Sequence, residues 1–174
     1  MKKYVGFAGL IALTSLPTVA TAQEASPLLL SLSESDITAI TADIGWTGGE
    51  RRELEGGDFS QSFTLSNGLP VQLEGLACEE DALPGCPEYQ LSVIFGLGSS
   101  ARAAEVGAGL SYRWADVWLT TEEAVVVSRM EFLHGGVARN HVRETFATFE
   151  QIARDAASKA FPCGFPADGI EPAC

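Results

Sequence analysis

The sequence predicts an α+β domain in which helices flank a mainly antiparallel β-sheet. Segments of alternating apolar residues are separated by short turns, which is typical of antiparallel strands and hairpins. A capped helical segment precedes them, and the segment "ARNHVRETFATFEQIARDAASKAF" after them has an apolar stripe of helical period. The predicted order is helix, three or four strands, helix, two strands and helix, which is an α+β arrangement without internal repeats.

The N-terminal 22 residues have the features of a secretory signal peptide. Lys2 and Lys3 form a positive region, an apolar run over residues 4–16 follows, and Ala20 and Ala22 form an A-x-A cleavage site. The apolar run is too short to span a bilayer, which disfavours the alternative of a retained anchor. We therefore expect removal of residues 1–22, leaving residues 23–174 as a single periplasmic or secreted domain that is not inserted in the membrane.

The composition is strongly acidic, with 23 Asp and Glu residues against 11 Lys and Arg residues. Because Lys2 and Lys3 lie in the predicted leader, the mature domain would keep nine basic residues and a net charge of −14. Such a surface repels the phosphates of nucleic acids and the headgroups of anionic lipids. A basic protein or peptide partner is compatible with this charge, although an acidic surface is more often related to solubility alone. A homodimer is left open.

The four cysteines, Cys78, Cys86, Cys163 and Cys174, are typical of an oxidising compartment. Three complete pairings are available to them. We favour the local pairing, Cys78–Cys86 and Cys163–Cys174, because it closes two short loops that contain proline and glycine. Residues 163–174 would then form a cysteine-bounded C-terminal tail. The spacing lacks the close cysteine or histidine pairs of a zinc site, so we expect no metal.

The first helix of the mature domain is predicted in "SLSESDITAITADIGW". Ser33 or Ser35 can cap its start, and Gly45 can end it. Its apolar face would consist of Ile37, Ile40 and Ile44. The polar, glycine-rich segment "TGGERRELEGGDF" that follows is predicted to be a loop with at most a short exposed strand.

A hairpin is predicted in "FSQSFTLSNGLPVQLEGLAC", where apolar residues alternate on both strands. A two-residue turn at Asn67-Gly68 would place apolar residues opposite polar ones. The three-residue loop Asn67-Gly68-Leu69 instead pairs Leu65 with Val71 and Phe63 with Leu73. We predict the second register, because a slip of one residue would turn half of the apolar set towards water.

Another strand is predicted in "YQLSVIFGL", and the segment "GLGSSA" follows at residues 96–101. This segment matches the G-x-G-x-x-A dinucleotide fingerprint, and Asp116 lies twenty residues beyond its start. A Rossmann domain needs parallel βαβ units, however, whereas the next strand here folds back as a hairpin. We therefore predict a helix cap at Ser99 or Ser100, a short helix after it, and no bound cofactor.

The segments "RWADVWL" and "AVVVSRMEFL" are predicted to form a second hairpin across the turn "TTEE". The final helix would lay its apolar stripe on the sheet, with Glu150 and Arg154 paired on its wet face. We expect the floor beneath this stripe to consist of Val126, Met130 and Phe132, which alternate to one side of their strand. Trp114 and Trp118 are expected to share a strand face, which becomes a candidate partner surface if it is open.

The strongest catalytic hypothesis concerns the segment "EFLHGGVARNHV". A His-Gly-Gly run after a strand occurs at oxyanion holes of lipase-like enzymes, but the chain has no G-x-S-x-G nucleophile motif. The two histidines, His134 and His141, lack the spacing of a metal-binding pair. Acidic clusters at residues 79–81 and 122–123 fall in predicted turns, where solvated charge is ordinary. We predict no catalytic residue, and we interpret the glycines as a strand-to-helix corner.

The run "YRWADVWLTTEEAVVVSRMEFLHGGVARNHVRETFATF" has a recognisable order of features. Arg113-Trp114, a strand, an acidic turn and a long strand precede Gly135-Gly136-Val137 and a closing helix. In this order the chain resembles the YbjN family of bacterial proteins, also called the sensory transduction regulator family, over about residues 32–161. The segment "EVGAGLSY" and the cysteine-bounded tail depart from the family pattern.

The resemblance implies a type III secretion chaperone-like fold, which is a twisted antiparallel sheet with helices packed around it. It brings no catalytic residues with it. It implies that the protein binds a protein or peptide partner in a regulatory or chaperone-like role. Two other classes stay open, namely a small secreted hydrolase that uses His134 or His141, and a structural component of the cell envelope.

Overall fold

The computed structural model describes residues 27–78, 84–121 and 123–164. Within these ranges the elements are, in chain order, β1 (Leu28–Leu29), α1 (Glu34–Ile44), β2 (Thr47–Glu53), β3 (Phe59–Thr64), β4 (Pro70–Leu76), β5 (Glu88–Gly96), α2 (Ser100–Gly109), β6 (Asp116–Leu119), β7 (Ala124–Phe132), β8 (Val137–Ala138) and α3 (Arg139–Ala160). No helix of these ranges combines the length and the apolar character needed to cross a membrane. The elements confirm the predicted α+β class.

Six strands form one open sheet in the order β2-β3-β4-β5-β7-β6, and β1 pairs separately with β8. Every neighbouring pair in the larger sheet is antiparallel. Helix α2 follows β5 behind the cap residue Ser99, whose side chain accepts a hydrogen bond from the Arg102 N–H. The "GLGSSA" segment is therefore a strand end with a helix cap, as predicted, because its strand has antiparallel neighbours on both sides.

Strand β2 occupies the segment that was predicted to be mainly loop. It is a seven-residue edge strand, and its register with β3 shifts between Gly48 and Arg51. Most of its side chains are exposed. An edge strand can be held by backbone hydrogen bonds to one neighbour without burying side chains, which explains why no apolar alternation marks it in the sequence.

Helix α1 begins and ends at the predicted residues. The Ser33 hydroxyl accepts a hydrogen bond from the Asp36 N–H at 3.2 Å, and the Asp36 carboxylate accepts one from the Ser33 N–H, which together form a capping box. Gly45 ends the helix with φ at +78°, a region that glycine adopts without steric cost. The isoleucine face turns inwards, since Ile37 and Ile40 are buried and Ile44 packs against the core.

The predicted apolar stripe of α3 packs on one face of the sheet. Its members Val142, Phe146, Phe149, Ala156 and Ala160 are buried, and Ile152 is partly buried. The ring centroid of Phe146 lies 5.5 Å from that of Tyr89 on β5 and 5.4 Å from that of Trp46. The helix therefore covers the centre of the sheet, and Trp46 belongs to the core.

The floor beneath α3 differs from the prediction. Val125 and Val127 are 0% exposed and lie on the covered face. Phe95, the strand partner of Val125, lies on the same face, and its ring contacts that of Phe161 directly after α3. Side chains alternate between the two faces along a strand. The predicted floor residues therefore lie on the opposite face, and the prediction was wrong by one residue for Val126, Met130 and Phe132.

The first hairpin keeps its predicted faces in a different register. Phe63 pairs with Val71, and the Leu65 N–H donates a hydrogen bond to the Leu69 carbonyl at 2.9 Å. The loop is therefore Ser66-Asn67-Gly68, one residue earlier than predicted. Leu69 is 1% exposed, so this register buries a side chain that the predicted loop would leave at the turn, while the other apolar residues stay on the inner face.

A disulfide joins Cys78 to Cys86, as predicted from loop size. Leu32 forms an antiparallel bridge with Cys86 through two backbone hydrogen bonds of 2.8 and 3.3 Å. A Cβ at Gly75 would lie 2.7 Å from the Cys86 sulfur, so glycine leaves the room in which the disulfide packs. Cys163 is also disulfide-bonded, and its predicted partner Cys174 lies outside the described residues.

The His-Gly-Gly segment forms the corner between β7 and β8. Gly135 and Gly136 have φ values of +85° and +88°, in the left-handed region that favours glycine. The Gly136 N–H donates a hydrogen bond to the Leu133 carbonyl at 2.9 Å and closes the turn. The backbone interpretation of the two glycines is confirmed.

Candidate binding surface on the open face of the sheet

The three α-helices in the described part of the chain lie on one face of the large sheet. Helix α3 packs against β5 through Phe146 and Tyr89. Helix α2 lies over β6 and β7, where a Cβ at Gly107 would contact Leu119 and Val125. Helix α1 contacts α3 and β2. No helix of the described residues packs on the opposite face, which we call the open face.

The open face exposes four large apolar side chains. Ile94 is 53% exposed, Trp118 43%, Met130 40% and Phe132 55%. We call these four residues the apolar patch. Ile94 and Trp118 flank Val126 as its strand partners in one row across the sheet, and Val126 is only 5% exposed between them. Large exposed apolar side chains that cluster on one surface are typical of interaction sites.

Met130 and Phe132 are exposed because β6 is short. Strand β6 has four residues and pairs only with residues 125–128 of β7. The chain turns away before β6, where the Arg129 guanidinium donates a hydrogen bond to the Trp114 carbonyl at 2.8 Å. Residues 130–132 of β7 consequently have a strand partner in β5 alone among the described residues, which leaves a free sheet edge beside the apolar patch.

Carboxylates border the apolar patch. Glu88 is the strand partner of Phe132, and Asp116 lies two residues from Trp118 on the same side of β6. Glu74 is the partner of Gln90, which in turn pairs with Met130. On this face of β4, β5, β6 and β7 the described residues include these three carboxylates and no lysine or arginine. The surface is therefore both apolar and anionic.

The two candidate tryptophans are exposed, but they do not share a strand face. Trp118 belongs to the apolar patch, whereas Trp114 precedes β6 and is 56% exposed on the helix side. Trp114 lines a cleft of about 190 Å³ with side chains of β7 and α3, namely Arg129, His141, Glu144, Thr145 and Thr148. The expectation of one face was wrong because the strand begins only at Asp116, so the alternation does not extend back to Trp114.

Arg129, one of the polar side chains that line this cleft, is already paired. Arg129 forms an ion pair with Glu131 in addition to its bond to the Trp114 carbonyl. Burial raises the pKa of the Tyr89 hydroxyl, and the negative charge of Glu131 raises it further. Tyr89 therefore stays neutral. The Arg129–Glu131 ion pair lies beside it at the end of β7.

Both histidines lie at exposed positions. His134 is exposed in the corner after β7, and His141 is exposed in the first turns of α3. Among the described residues, neither histidine has a hydrogen bond to a hydroxyl or a carboxylate. The structure does not bring them together with a serine in the arrangement that a triad requires.

The acidic clusters are only partly within the described ranges. Residues 79–81 and Glu122 lie outside them. Glu123 accepts a hydrogen bond from the Ser100 hydroxyl at 3.2 Å and so ties the second hairpin turn to the start of α2. The described residues contain no group of three or more His, Cys, Asp or Glu side chains that could hold a metal ion.

Sequence reasoning missed three residues of the surface, namely Ile94, Met130 and Phe132. The signal that could have found the latter two is the segment "SRMEF", where Arg129 and Glu131 alternate with Met130 and Phe132. This alternation places the charged pair on one face of the strand and the apolar pair on the other. It does not by itself show which of the two faces is covered by the helix. The short predicted strand "ADVWL" beside it was the available indication that the apolar pair lacks cover.

Comparison with known proteins identifies no family for the chain. No family model matches it, and no curated protein matches it. A crystal structure of an uncharacterized protein from Methanothermobacter thermautotrophicus is similar in part, with 13% sequence identity and a TM-score of 0.45 over 72% of this chain and 96% of that one.

Proposed function

We propose that this chain is an exported, non-catalytic binding protein that holds a polypeptide partner on the open face of its sheet. The observation that carries the proposal is the apolar patch, which comprises four large side chains between 40% and 55% exposed on a face where no helix of the described ranges packs. Burial of apolar surface is the dominant favourable contribution to most protein–protein association. Such a surface is compatible with the regulatory or chaperone-like role that the resemblance implies.

Two features support export. The chain has a disulfide between Cys78 and Cys86, and disulfides persist in secreted and periplasmic proteins. The N-terminal 22 residues have the charge, apolar run and A-x-A site of a secretory leader. The proposal places the mature protein in the periplasm or outside the cell, with Gln23 as its first residue.

The proposal includes the YbjN-like assignment. Its support is the order of elements in the second half of the chain, where β6, an acidic turn, β7, the Gly135-Gly136 corner and α3 follow one another as in the resemblance. An antiparallel sheet with helices on one face is compatible with the chaperone-like fold that the resemblance implies. The open face is the surface that such a fold would offer to an extended polypeptide.

The test is site-specific photo-crosslinking in the producing cells. A benzophenone amino acid at position 130 or 118 should give a crosslinked polypeptide product, because these side chains lie on the proposed surface. Leu54 is the matched control, since it is 46% exposed and outside the apolar patch. Equal products from position 54, or none from positions 118 and 130, would contradict the proposal.

The rival hydrolase class makes a different prediction. It requires an esterase, glycosidase or peptidase activity that is lost in His134→Ala or His141→Ala. The structural-component class requires stable association with peptidoglycan or outer-membrane fractions. The proposal expects neither result, and it expects the crosslinked partner to be a polypeptide in the soluble fraction.

A further inference from the structure

We infer that the partner segment is cationic as well as apolar, so that lysines or arginines flank its large apolar side chains. This inference rests on the proposed function, because it names the chemistry of the polypeptide that the open face takes. It is carried by the coincidence of the apolar patch with three carboxylates and no cation on the same face of four strands. The apolar patch favours a partner with large apolar side chains, and the carboxylates favour one that also carries positive charge.

Three of the chain's carboxylates lie around the apolar patch. Glu88 adjoins Phe132 as its strand partner. Asp116 lies beside Trp118 on β6, at the free edge of the sheet. A segment whose apolar side chains cover Phe132 and Trp118 would thus have its neighbouring side chains within reach of negative charge on both sides. Complementary charge of this kind orients a partner and speeds its association.

The arginines at this end of the sheet do not neutralise the surface. Arg129 points to the helix side, where it pairs with Glu131 and lies 5.7 Å from the Trp114 ring centroid. The Arg113 guanidinium lies 5.1 Å from the same ring centroid. Both cations are therefore engaged around Trp114. Arg52 lies on the open face at the far edge strand β2, where it pairs with Glu50, so the carboxylates around the apolar patch keep their negative sign.

The same charges disfavour the other occupants of an apolar face. A second copy packed through the open face would bring Glu74, Glu88 and Asp116 towards the same three carboxylates, and like charges oppose such an interface. Anionic lipid headgroups and nucleic acids are negatively charged, so the carboxylates repel them as well. A basic, apolar polypeptide segment is the occupant whose charge and hydrophobicity both complement this face.

The experiment measures binding of a fluorescein-labelled peptide of alternating lysine and valine by anisotropy, with purified protein that keeps its disulfide. The analogue with glutamate in place of lysine is the peptide control. We expect the lysine peptide to bind and the glutamate peptide not to bind. We further expect the variant Glu74→Gln/Glu88→Gln/Asp116→Asn to bind the lysine peptide about tenfold more weakly, since each exposed charge pair contributes a fraction of a kcal/mol.

The matched control variant is Glu34→Gln/Glu55→Gln/Glu105→Gln, which removes the same net charge from three exposed side chains away from the open face. It should bind the lysine peptide with nearly the affinity of the parent protein. The variant Met130→Ser/Phe132→Ser should also lose affinity, which shows that the apolar patch takes part. Circular dichroism of each variant checks that the fold is kept.

Four outcomes would overturn the inference. They are equal binding of the glutamate peptide, equal weakening by the control variant, absence of lysine-peptide binding, and a dimer that Met130→Ser/Phe132→Ser dissociates. Crosslinking from positions 118 and 130 without lysine-peptide binding would leave the proposed function standing and remove the cationic partner. Failure of both experiments would remove the two proposals together.

Discussion

Glu150 is the residue in which one side chain holds together three parts of the fold. Its carboxylate accepts a hydrogen bond of 2.8 Å from the Trp46 indole N–H and forms an ion pair with Arg154. Arg154 in turn donates to the Ser66 hydroxyl at 2.6 Å, in the turn of the first hairpin. The sequence predicts the helical pair Glu150–Arg154 but places it on the wet face, whereas Glu150 is buried at 9% exposure.

The substitution Glu150→Ala should lower the free energy of unfolding by about 1–3 kcal/mol. The reason is that the buried Trp46 N–H and the Arg154 guanidinium both lose an acceptor, and an unsatisfied buried donor costs this much. Urea denaturation followed by circular dichroism measures the change. Asp155→Ala is the matched control, because its helical ion pair with Lys159 is about half exposed and its hydrogen bond from the Tyr112 hydroxyl is exposed as well. Exposed ion pairs contribute less than about 1 kcal/mol. Equal effects of the two substitutions would show that the Trp46 bond contributes nothing.

Strand β7 shows which part of an element can be predicted from sequence. Its length and its pairing with β6 follow from the alternating apolar residues and the acidic turn. Which face of β7 meets α3 does not follow from the sequence. Val125, Val126 and Val127 are all apolar, so either alternate set of side chains could face the helix. In the structure Arg129 and Glu131 form an ion pair at the end of the covered face, with side chains 15% and 18% exposed, and Arg129 also donates a hydrogen bond to the Trp114 carbonyl. The segment "SRMEF" carries a signal for this phase, but the alternation alone is compatible with either pair facing the helix.

The two faces of the sheet can be compared on strand β5 alone. Leu91 is 0% exposed on the covered face, and Ile94 is 53% exposed on the open face. Leu91→Ala should therefore cost about 2–5 kcal/mol, as expected for a large-to-small change in a core. Ile94→Ala should cost less than about 1 kcal/mol, because little buried surface is lost. The free energies of unfolding from urea titrations check both values, and a similar cost at the two positions would mean that the open face is covered in solution.

The whole molecule combines an acidic surface with one apolar face. The net charge can be counted in the sequence, but the grouping of Glu74, Glu88 and Asp116 around the apolar patch cannot, because they come from three strands. Their proximity depends on the strand order β4-β5-β7-β6. In this order β7 lies between β5 and β6, and β6 is the edge strand. Turn signals predict the hairpins, whereas the insertion of β7 beside β5 is a long-range pairing that no local pattern encodes.

The Cys78–Cys86 disulfide belongs to this scale, because it fastens the end of β4, the approach to β5 and the N-terminal segment at Leu32. The double substitution Cys78→Ala/Cys86→Ala should lower the free energy of unfolding by about 2–3 kcal/mol, the value expected when a short crosslinked loop regains its freedom in the unfolded chain. Urea denaturation of the oxidised proteins measures it. Cys163→Ala/Cys174→Ala is the control, since it leaves the Cys78–Cys86 disulfide in place. This control should preserve the amide hydrogen-exchange protection of Leu32. If the Cys78→Ala/Cys86→Ala protein also keeps that protection and its full stability, the backbone bonds between Leu32 and Cys86 hold the segment without the disulfide.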